Sequence, residues 1–517
     1  MGSLSRLENL DRLKSHETWD IVVIGGGATG LGTAVDAASR GYRTVLLEAR
    51  DFAHGTSSRS TKLIHGGVRY LAQGNLPLVR EALRERGLLI QNAPHLVHAR
   101  DFLVPAYQYW QLPYYGAGLW LYDRLAGKLG LGHSRWISRA ETVARVPTIH
   151  SAGLKGSILY TDGQFDDARL AIALARTLAD LGGLALNHMP VTRLIKREGR
   201  ITGVEGRDEE TGASLEVPAR AVVNATGVFA DTVRRMDDPG VTPMIAPSQG
   251  AHLVLDRSFL PGTTALMVPR TDDGRVLFAI PWLDRVLLGT TDTSMAVVPA
   301  EPRPLSMEID FLLDHARRYL DRAPGRGDIK SLFAGLRPLY RPEGAEGTTT
   351  AKLSREHAVF VSQSGLVTVT GGKWTTYRTM ARDAVDHAAR VAGLPGRPCE
   401  TATLKLHGGD QWAVGSGERL VGSAVRTEPE PRLIHQTPDY YGSDLSAVLD
   451  LSRKHPDWAL PLHPSLPYTP ADVVWGARHE AARTVEDVLC RRTRTLFLDA
   501  RAAMEIAPRV AELLAAE

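Results

Sequence analysis

The sequence predicts an α/β protein with a discontinuous parallel-sheet domain, an antiparallel-sheet domain and a helical C-terminal domain. Three observations support this fold class. The 517 residues exceed what one hydrophobic core normally organises, so two or three domains are expected. Residues 20–48, DIVVIGGGATGLGTAVDAASRGYRTVLLE, have the order strand, glycine turn, helix, strand. After the turn-forming letters GLPGRP, residues 395–517 carry apolar side chains at helical spacing.

Composition excludes several classes of protein. The formal net charge of +3 is small for this length, which argues against a nucleic-acid-binding protein. Cys399 and Cys490 lie far apart, so neither a disulfide scaffold nor a metal site is expected. The first twenty residues have no apolar core, so we expect no signal peptide. No apolar run approaches the roughly 18 to 20 residues that span a bilayer, so any membrane association is expected to be peripheral.

Residues 20–48 contain each part of a dinucleotide-binding βαβ unit. Gly25, Gly27 and Gly30 follow the first apolar run in the pattern G-x-G-x-x-G. In this pattern the first glycine permits a tight turn, the second lets the backbone approach a pyrophosphate, and the third allows close helix–strand packing. Glu48 ends the second strand, where a carboxylate accepts ribose hydroxyls and disfavours the 2′-phosphate of NADP. A Rossmann-like dinucleotide site is therefore predicted.

The next segments favour a cofactor longer than NAD. After Glu48 the chain enters TSSRSTKLIHGGVRY, whose first hydroxyls can donate to a diphosphate. A strand followed by a tight turn recurs at ARAVVNATG, and a third glycine-marked strand end, GGKWTTYR, precedes a helix expected from about Thr375. The amides at the start of that helix can stabilise negative charge on the cofactor. Three glycine-marked strand ends indicate one extended cofactor held by a discontinuous domain.

These motifs resemble those of the FAD-dependent glycerol-3-phosphate dehydrogenases, within the D-amino-acid-oxidase-like flavoproteins. The motifs that carry the resemblance are IGGGATG, TSSRSTKLIHGGVRYL, YTDGQFDDARL, VVNATG, IPWLDRVLLGTTDT, AGLRPL and GGKWTTYR. A helical tail that includes CRRTRTLFLDARAA resembles the C-terminal domain of the same family.

The resemblance implies one FAD per chain and oxidation of sn-glycerol 3-phosphate to dihydroxyacetone phosphate by hydride transfer to the flavin. It also implies a peripheral membrane enzyme that passes electrons to ubiquinone or menaquinone. We therefore expect the protein at the cytoplasmic face of the plasma membrane or in the cytoplasm. A homodimer is plausible by resemblance only.

The implied fold is an α/β fold with a Rossmann-like FAD-binding domain of the D-amino-acid-oxidase/glutathione-reductase type. That domain is expected to combine residues 17–100, 150–235 and 331–394. A substrate domain is expected from 101–149 and 236–330, where HLVLD, RVLFAIPW and RVLLGTT predict antiparallel strands. Residues 395–517 are expected to form the helical C-terminal domain.

Motif and resemblance together give a set of candidate cofactor-binding residues. They are Gly25, Gly27, Gly30, Glu48, Thr56, Ser57, Ser58, Leu63, Ile64, His65, Ala225, Gly227, Gly372, Lys373, Thr375 and Thr376. A phosphate group calls for guanidinium groups with lysine as a supporting charge. The candidate substrate-binding residues are accordingly Arg69, Tyr70, Arg337 and Lys373.

The candidate catalytic residues are His65, His252, Arg337 and Lys373. The substrate hydroxyl needs a proton acceptor, and imidazole titrates near neutral pH, which favours His65 or His252. A lysine or an ordered water can take this role instead. Residues 290–292, from the GTTDT motif, are interpreted as structural.

Other functions stay open on the sequence alone. A glycerol-3-phosphate oxidase of the same fold would pass electrons to dioxygen, and no motif separates it from a dehydrogenase. An amine oxidase would have a less cationic pocket, and a scaffold protein without turnover would not need the charged and histidine positions. Residues 102–124, FLVPAYQYWQLPYYGAGLWLYDR, predict either a membrane-contacting surface or an aromatic core. Residues 478–494 are interpreted as a solvated, salt-bridged face, with packing on the cofactor domain as the alternative.

Overall fold

The computed structural model describes residue 2 and residues 4–15, 18–72, 74–342, 356–410 and 439–517, with Arg69 and Ala72 described by their backbone alone. Within these residues the strands form two separate sheets. The strands are β1 Trp19–Ile24, β2 Thr44–Leu47, β3 Leu63–Ile64, β4 Val97–Ala106, β5 Arg135–Ser138, β6 Gly156–Phe165, β7 Leu184–Leu186, β8 Val191–Arg197, β9 Arg200–Arg207, β10 Ser214–Asn224, β11 Ile245–Asp256, β12 Ala265–Val268, β13 Leu277–Trp282, β14 Arg285–Gly289, β15 Thr293–Ser294, β16 Ile329–Tyr340, β17 His357–Val361 and β18 Leu366–Gly371.

The helices pack on both sheets and form most of the described C-terminal region. They are α1 Arg6–Lys14, α2 Ala28–Ser39, α3 Val68–Ala72, α4 Leu76–Asn92, α5 Gln111–Ala126, α6 Arg139–Arg145, α7 Asp167–Asp180, α8 Ala230–Asp237, α9 Ser306–Tyr319, α10 Tyr377–Val391, α11 Leu445–Lys454, α12 Pro470–His479, α13 Val485–Asp487, α14 Thr495–Leu498 and α15 Ala500–Ala515. None of these described helices combines the length and apolar character that crossing a bilayer requires.

The first sheet is built on five parallel strands in the order β18-β10-β1-β2-β7. Its central strands are continuous apolar runs because helices α2, α7 and α10 cover one face, and α1, α8 and strands β8 and β9 cover the other. The helix α2 packs against α10 so closely that a Cβ on Gly32 would lie 2.6 Å from the ring of Tyr377. Because the strands are parallel, the carboxyl ends of β1, β2, β10 and β18 lie at one edge, where α/β sheets bind ligands.

The second sheet is mostly antiparallel and contains β11 to β14 in the order β11-β14-β13-β12. Three strands from segments expected in the FAD-binding domain pair in this sheet: β3 with β6, β6 also with β4, and β16 with β11. These pairings join segments far apart in the sequence, which local sequence does not reveal. Where each domain ends stays a prediction.

The helical C-terminal region is attached to the first sheet through buried charges. The interpretation of residues 478–494 as a solvated face is wrong, because Arg491, Arg492 and Arg494 are at most 1 % exposed. Arg492 donates to both carboxylate oxygens of Asp51, at 2.7 and 2.9 Å. Arg494 donates to Asp167 at 3.1 Å. The acidic partners lie more than three hundred positions away in the sequence, so no local pattern shows them.

One histidine joins the C-terminal region to α7. The Nδ1 of His407 lies 2.6 Å from an Asp180 oxygen, and its Nε2 lies 2.8 Å from an Asp444 oxygen. Burial lowers the pKa of His407, but the hydrogen bonds with both carboxylates outweigh burial and raise this pKa to about 9. A folded-state pKa above the unfolded value stabilises the fold fully below pH 6.5, and this stabilisation is lost as the pH rises through 9.

We therefore expect His407→Gln to lower the melting temperature at pH 6, by the equivalent of up to about 3 kcal/mol. The difference between variant and wild type should shrink as the pH approaches 9. The measurement is thermal unfolding of both proteins across this pH range. His463→Gln is the matched control, because His463 is 22 % exposed and pairs with a single exposed carboxylate, that of Glu505. A difference that grows with pH would contradict the role given to His407.

Candidate active site

A cavity of about 360 Å³ lies at the carboxyl ends of the parallel strands. The glycine turn after β1 forms one wall, and Glu48 with the segment that follows it forms another. Four predicted cofactor-binding residues from later in the chain complete the lining: Ala225, Gly227, Gly372 and Lys373. The structure thus brings the three glycine-marked strand ends together around one space.

The turn between β1 and α2 has no room for side chains. Gly25 has a φ of 109°, in the region that favours glycine. A Cβ on Gly30 would lie 1.8 Å from the carbonyl oxygen of Gly25. Gly27 immediately precedes α2, so the amino-terminal end of that helix faces the cavity. A helix start exposed in this way attracts a phosphate group.

Glu48 follows the end of β2 and lines the same cavity. Its carboxylate accepts hydrogen bonds from the backbone N–H of Gly26 at 2.5 Å and of Arg50 at 2.8 Å. Burial raises the pKa of Glu48, and these two hydrogen bonds partly oppose that rise. The carboxylate is therefore held in one orientation, as recognition of a ribose hydroxyl requires.

The three hydroxyls of Thr56–Ser58 have different surroundings. Thr56 lines the cavity and donates to a backbone carbonyl of β16 at 2.5 Å. Ser57 also lines the cavity, and its Oγ accepts from the backbone N–H of Ala28 at 2.9 Å. Ser58 is 1 % exposed and is not among the described lining residues. The structure thus places Thr56 and Ser57, but not Ser58, where a diphosphate would lie.

The chain then passes through β3 towards a second cavity. Leu63 and His65 line this second cavity, whereas Ile64 between them is fully buried. The backbone N–H of His65 donates to Thr375 Oγ1 at 3.3 Å, which joins this segment to the strand end before α10. Thr375 and Thr376 are both buried behind the lining. Residues far apart in the sequence are therefore held side by side between the two cavities.

The second cavity has a volume of about 150 Å³. Lys373, which lines the first cavity, contacts Tyr70, which lines the second. An ideal Cβ on Gly67, which lines the second cavity, would lie 3.7 Å from the Nζ of Lys373. The lining combines apolar side chains with polar and charged groups. The polar lining residues are Thr61, His65, Tyr70, Tyr160, Asp162, Arg275, Thr290, Thr291, Asp292 and Arg337.

Two guanidinium groups lie at the second cavity. Arg337 donates to Thr290 Oγ1 at 3.2 Å and to the carbonyl oxygen of Thr291 at 3.0 Å. Arg275 donates to the carbonyl oxygen of Asp292 at 2.9 Å. Their side chains are 20 % and 18 % exposed, so both reach the cavity. The Asp292 carboxylate lies 3.7 Å from each guanidinium and balances part of their charge. Guanidinium groups placed at a cavity suit an anionic group of a ligand.

The remaining predicted substrate-binding residues lie at the junction of the two cavities or outside the described part. The ammonium of Lys373 lies 4.9 Å from the centre of the Tyr70 ring, a cation–π contact. Tyr70 lines the second cavity. The side chain of Arg69 falls outside the described residues, so its place in the substrate site stays a prediction.

The two candidate histidines occupy different positions. His65 lines the second cavity. His252 is 2 % exposed, stacks on Phe333 and has its Nε2 2.9 Å from Thr61 Oγ1. Burial, with nearby Lys62 as a smaller cause, holds the pKa of His252 well below its ordinary value. His252 is therefore neutral and reaches the cavity through the Thr61 hydroxyl.

Sequence reasoning missed several residues of the second cavity. Residues 290–292 were interpreted as structural, but all three line the cavity, because β14 ends at Gly289 and leaves them at the ligand edge. Arg275 directly follows a glycine in the letters DDGRVLF, as the predicted cation Lys373 does in GGKWTTYR. Asp162, within YTDGQFDD, lies inside β6 and had no local signal beyond the motif itself.

The residues present fit FAD. The glycine turn without room for a Cβ, the oriented carboxylate of Glu48 and the start of α2 suit the adenosine diphosphate part. The adjoining second cavity extends the site beyond what that part needs.

Comparison with known proteins agrees with this geometry. The family model described as FAD dependent oxidoreductase matches residues 20–378, and the C-terminal domain of alpha-glycerophosphate oxidase matches residues 399–517. The chain is 40 % identical over 533 residues to the mitochondrial glycerol-3-phosphate dehydrogenase of Mus musculus, which covers 99 % of this chain and 72 % of that protein. It is 42 % identical over 527 residues to the mitochondrial enzyme of Arabidopsis thaliana, covering 96 % of this chain and 82 % of the relative.

A solved structure gives the same result. The X-ray structure of the glycerol-3-phosphate dehydrogenase from Bacillus halodurans complexed with FAD has a TM-score of 0.78 and 29 % identity, covering all of this chain and 94 % of that one. The fold class, the FAD cofactor and the family resemblance predicted from the sequence are confirmed. The chain belongs to the family of FAD-dependent glycerol-3-phosphate dehydrogenases.

Proposed function

We propose that this protein oxidises sn-glycerol 3-phosphate to dihydroxyacetone phosphate, with FAD as the hydride acceptor. The observation that carries the proposal is the position of three cations. Arg275 and Arg337 line the second cavity, and Lys373, which lines the FAD cavity, lies 4.9 Å from the ring of Tyr70 in the second. A phosphomonoester dianion is bound best by guanidinium groups, with lysine as a supporting point charge. An amino-acid carboxylate would not need three cations, which makes an amine oxidase a weaker explanation.

The reaction removes a hydride from the secondary carbon and a proton from its hydroxyl oxygen. Bound FAD supplies the hydride acceptor. The cations of this chain fix the phosphate and so orient the carbon that reacts. His65 lines the cavity and can receive the proton directly, whereas neutral His252 can receive it through Thr61. Both histidines stay candidates for the proton acceptor.

We further propose a membrane quinone, ubiquinone or menaquinone, as the electron acceptor. The relatives of this chain are dehydrogenases by name, which favours a quinone over dioxygen. The oxidase alternative predicts hydrogen peroxide at one equivalent per substrate oxidised. Peroxide yield compared with quinone reduction in the same preparation distinguishes the two.

The exposed side of α5 supports a contact with a lipid surface. Residues 102–124 divide between the two predicted roles: Phe102 lies in buried strand β4, whereas α5 carries exposed aromatic rings. Trp110, Tyr114 and Trp120 are 58 %, 62 % and 57 % exposed. Arg124 lies 5.0 Å from the Trp120 ring. Aromatic rings beside cations suit the interface of a bilayer, so we propose that this side of α5 contacts the membrane peripherally.

The substrate proposal is tested by adding sn-glycerol 3-phosphate to the purified holoenzyme without oxygen. We expect the flavin absorbance to bleach, and no bleaching with glycerol at the same concentration. Arg337→Met and Arg275→Met should each raise the KM by about 10- to 100-fold, because each removes a charge-assisted hydrogen bond to phosphate. A wild-type flavin that stays oxidised would overturn the proposed function.

The FAD site is tested by Gly30→Ala. A Cβ at this position collides with the Gly25 carbonyl, so we expect the purified variant to lose most of its FAD, measured as the ratio of flavin to protein absorbance. Gly327→Ala is the control, because a Cβ there meets nothing within 4 Å. Equal flavin content in both variants would show that the turn does not hold the cofactor.

The membrane contact is tested by replacing Trp110, Tyr114 and Trp120 with serine together. We expect the variant to lose flotation with vesicles that contain anionic lipid, while its FAD content and substrate-dependent bleaching stay unchanged. Met504→Ser is the control, since Met504 is 72 % exposed on the C-terminal helix α15. Flotation equal to that of wild type would exclude α5 as the contact.

A further inference from the structure

The inner side of α5 reaches the substrate cavity through one hydroxyl group. Tyr122 is 1 % exposed, and its hydroxyl accepts a hydrogen bond from the backbone N–H of Gly66 at 2.7 Å. The same hydroxyl donates to Asp162 at 2.6 Å. Asp162 lines the second cavity, as do the neighbours of Gly66 on either side, His65 and Gly67. Tyr122 itself is not among the lining residues that are described.

The surroundings of the Tyr122 hydroxyl keep it a donor to Asp162 and an acceptor from Gly66. Burial, followed by the charge of Asp162, raises the pKa of Tyr122 well above its ordinary value, so the phenol stays protonated. Arg86 donates to the other Asp162 oxygen at 2.9 Å and is itself buried. The carboxylate therefore accepts from Tyr122 on one side and from Arg86 on the other. With its proton directed to Asp162, the phenol oxygen is left to accept from Gly66.

The backbone position of the segment after His65 is set by packing against α4 and α5. A Cβ on Gly66 would lie 2.6 Å from a Leu83 methyl and 2.7 Å from the Tyr122 hydroxyl, so the backbone runs directly between them. Helix α3, which follows, belongs to a small apolar cluster separate from the main core. The members of that cluster are Val79, Leu83, Tyr122 and Ala126, with Val68, Tyr70, Leu71 and Leu125 packed against them.

We propose that Tyr122 is a positioning residue for the substrate: its hydroxyl fixes Gly66 against Asp162 and so sets the places of His65 and Tyr70 in the second cavity. This inference rests on the proposed function, because it assigns these residues to the binding of sn-glycerol 3-phosphate. The hydroxyl acts through the backbone of residues 65–70 and not through contact with substrate or FAD.

The test compares Tyr122→Phe with Tyr107→Phe in the holoenzyme. Phenylalanine keeps the ring that packs in the apolar cluster, so we expect an unchanged melting temperature within a few degrees and unchanged FAD content. Tyr107 is the matched control because its hydroxyl also makes a hydrogen bond with the backbone, donating to the carbonyl oxygen of His150 at 2.8 Å, but lies at neither cavity.

Two measurements decide the proposal. Hydrogen–deuterium exchange of peptides that cover residues 63–70 should be about 3- to 10-fold faster in Tyr122→Phe, the effect of losing one hydrogen bond. The KM for sn-glycerol 3-phosphate should rise by a similar factor, with a smaller change in kcat, and the control should match wild type in both. Unchanged exchange overturns the proposal, and so does faster exchange with an unchanged KM.

The outcome also separates this inference from the proposed function. If sn-glycerol 3-phosphate does not reduce the wild-type flavin, the proposed function is wrong and the substrate role of Tyr122 is wrong with it. If wild type is reduced and Tyr122→Phe behaves like the control, the proposed function stands and the positioning role alone is overturned.

Discussion

The carboxylate of Asp167 holds together the parts of the chain on which both cavities depend. It accepts from Lys62 at 2.7 Å, from Arg494 at 3.1 Å and from the hydroxyl of Ser60 at 2.7 Å. Lys62, Arg494 and Asp167 are all fully buried. Loss of Asp167 would leave the buried Lys62 and Arg494 side chains without their shared carboxylate, at a cost of about 3–5 kcal/mol. Because Lys62 directly precedes β3, this ion cluster fixes the segment that runs from the FAD cavity to the substrate cavity.

The buried charges also explain why the helical C-terminal region lies where it does. Asp51 follows β2 and Glu48, and it accepts from Arg491 at 2.5 Å as well as from Arg492. The loop that begins at Glu48 is thus held by residues near the end of the chain. Such pairs add little net stability compared with apolar packing, but they strongly disfavour any arrangement that separates the charges. The C-terminal region therefore supports the geometry of this loop, although none of its described residues lines the first cavity.

The sequence predicted best what local chemistry determines. Gly25, Gly30 and Glu48 were identifiable because a tight turn, a close helix approach and a strand-end carboxylate each leave a short pattern. Ser58 is buried away from the cavity, and a run of hydroxyls does not show which of them turns inward. Arg275 was missed although it directly follows a glycine, as Lys373 does, because no partner for it is visible along the chain. The buried arginines were misread for a related reason: their carboxylates come from distant segments.

The aromatic segment 102–124 shows why composition alone could not decide between a membrane-contacting surface and an aromatic core. In β4 the rings and branched side chains face the core, and in α5 the two sides of one helix have opposite roles. Trp120 is 57 % exposed, whereas Tyr122, two positions later, is buried and bonded to Gly66. Both faces are rich in aromatic residues, so hydropathy and composition could not assign them separately. One face of α5 lies at the surface, and the other carries the Tyr122 hydroxyl that accepts from the Gly66 N–H. A rigid-body shift of α5 must therefore also move this acceptor, which couples the exposed face of the helix to the segment 65–70 at the second cavity.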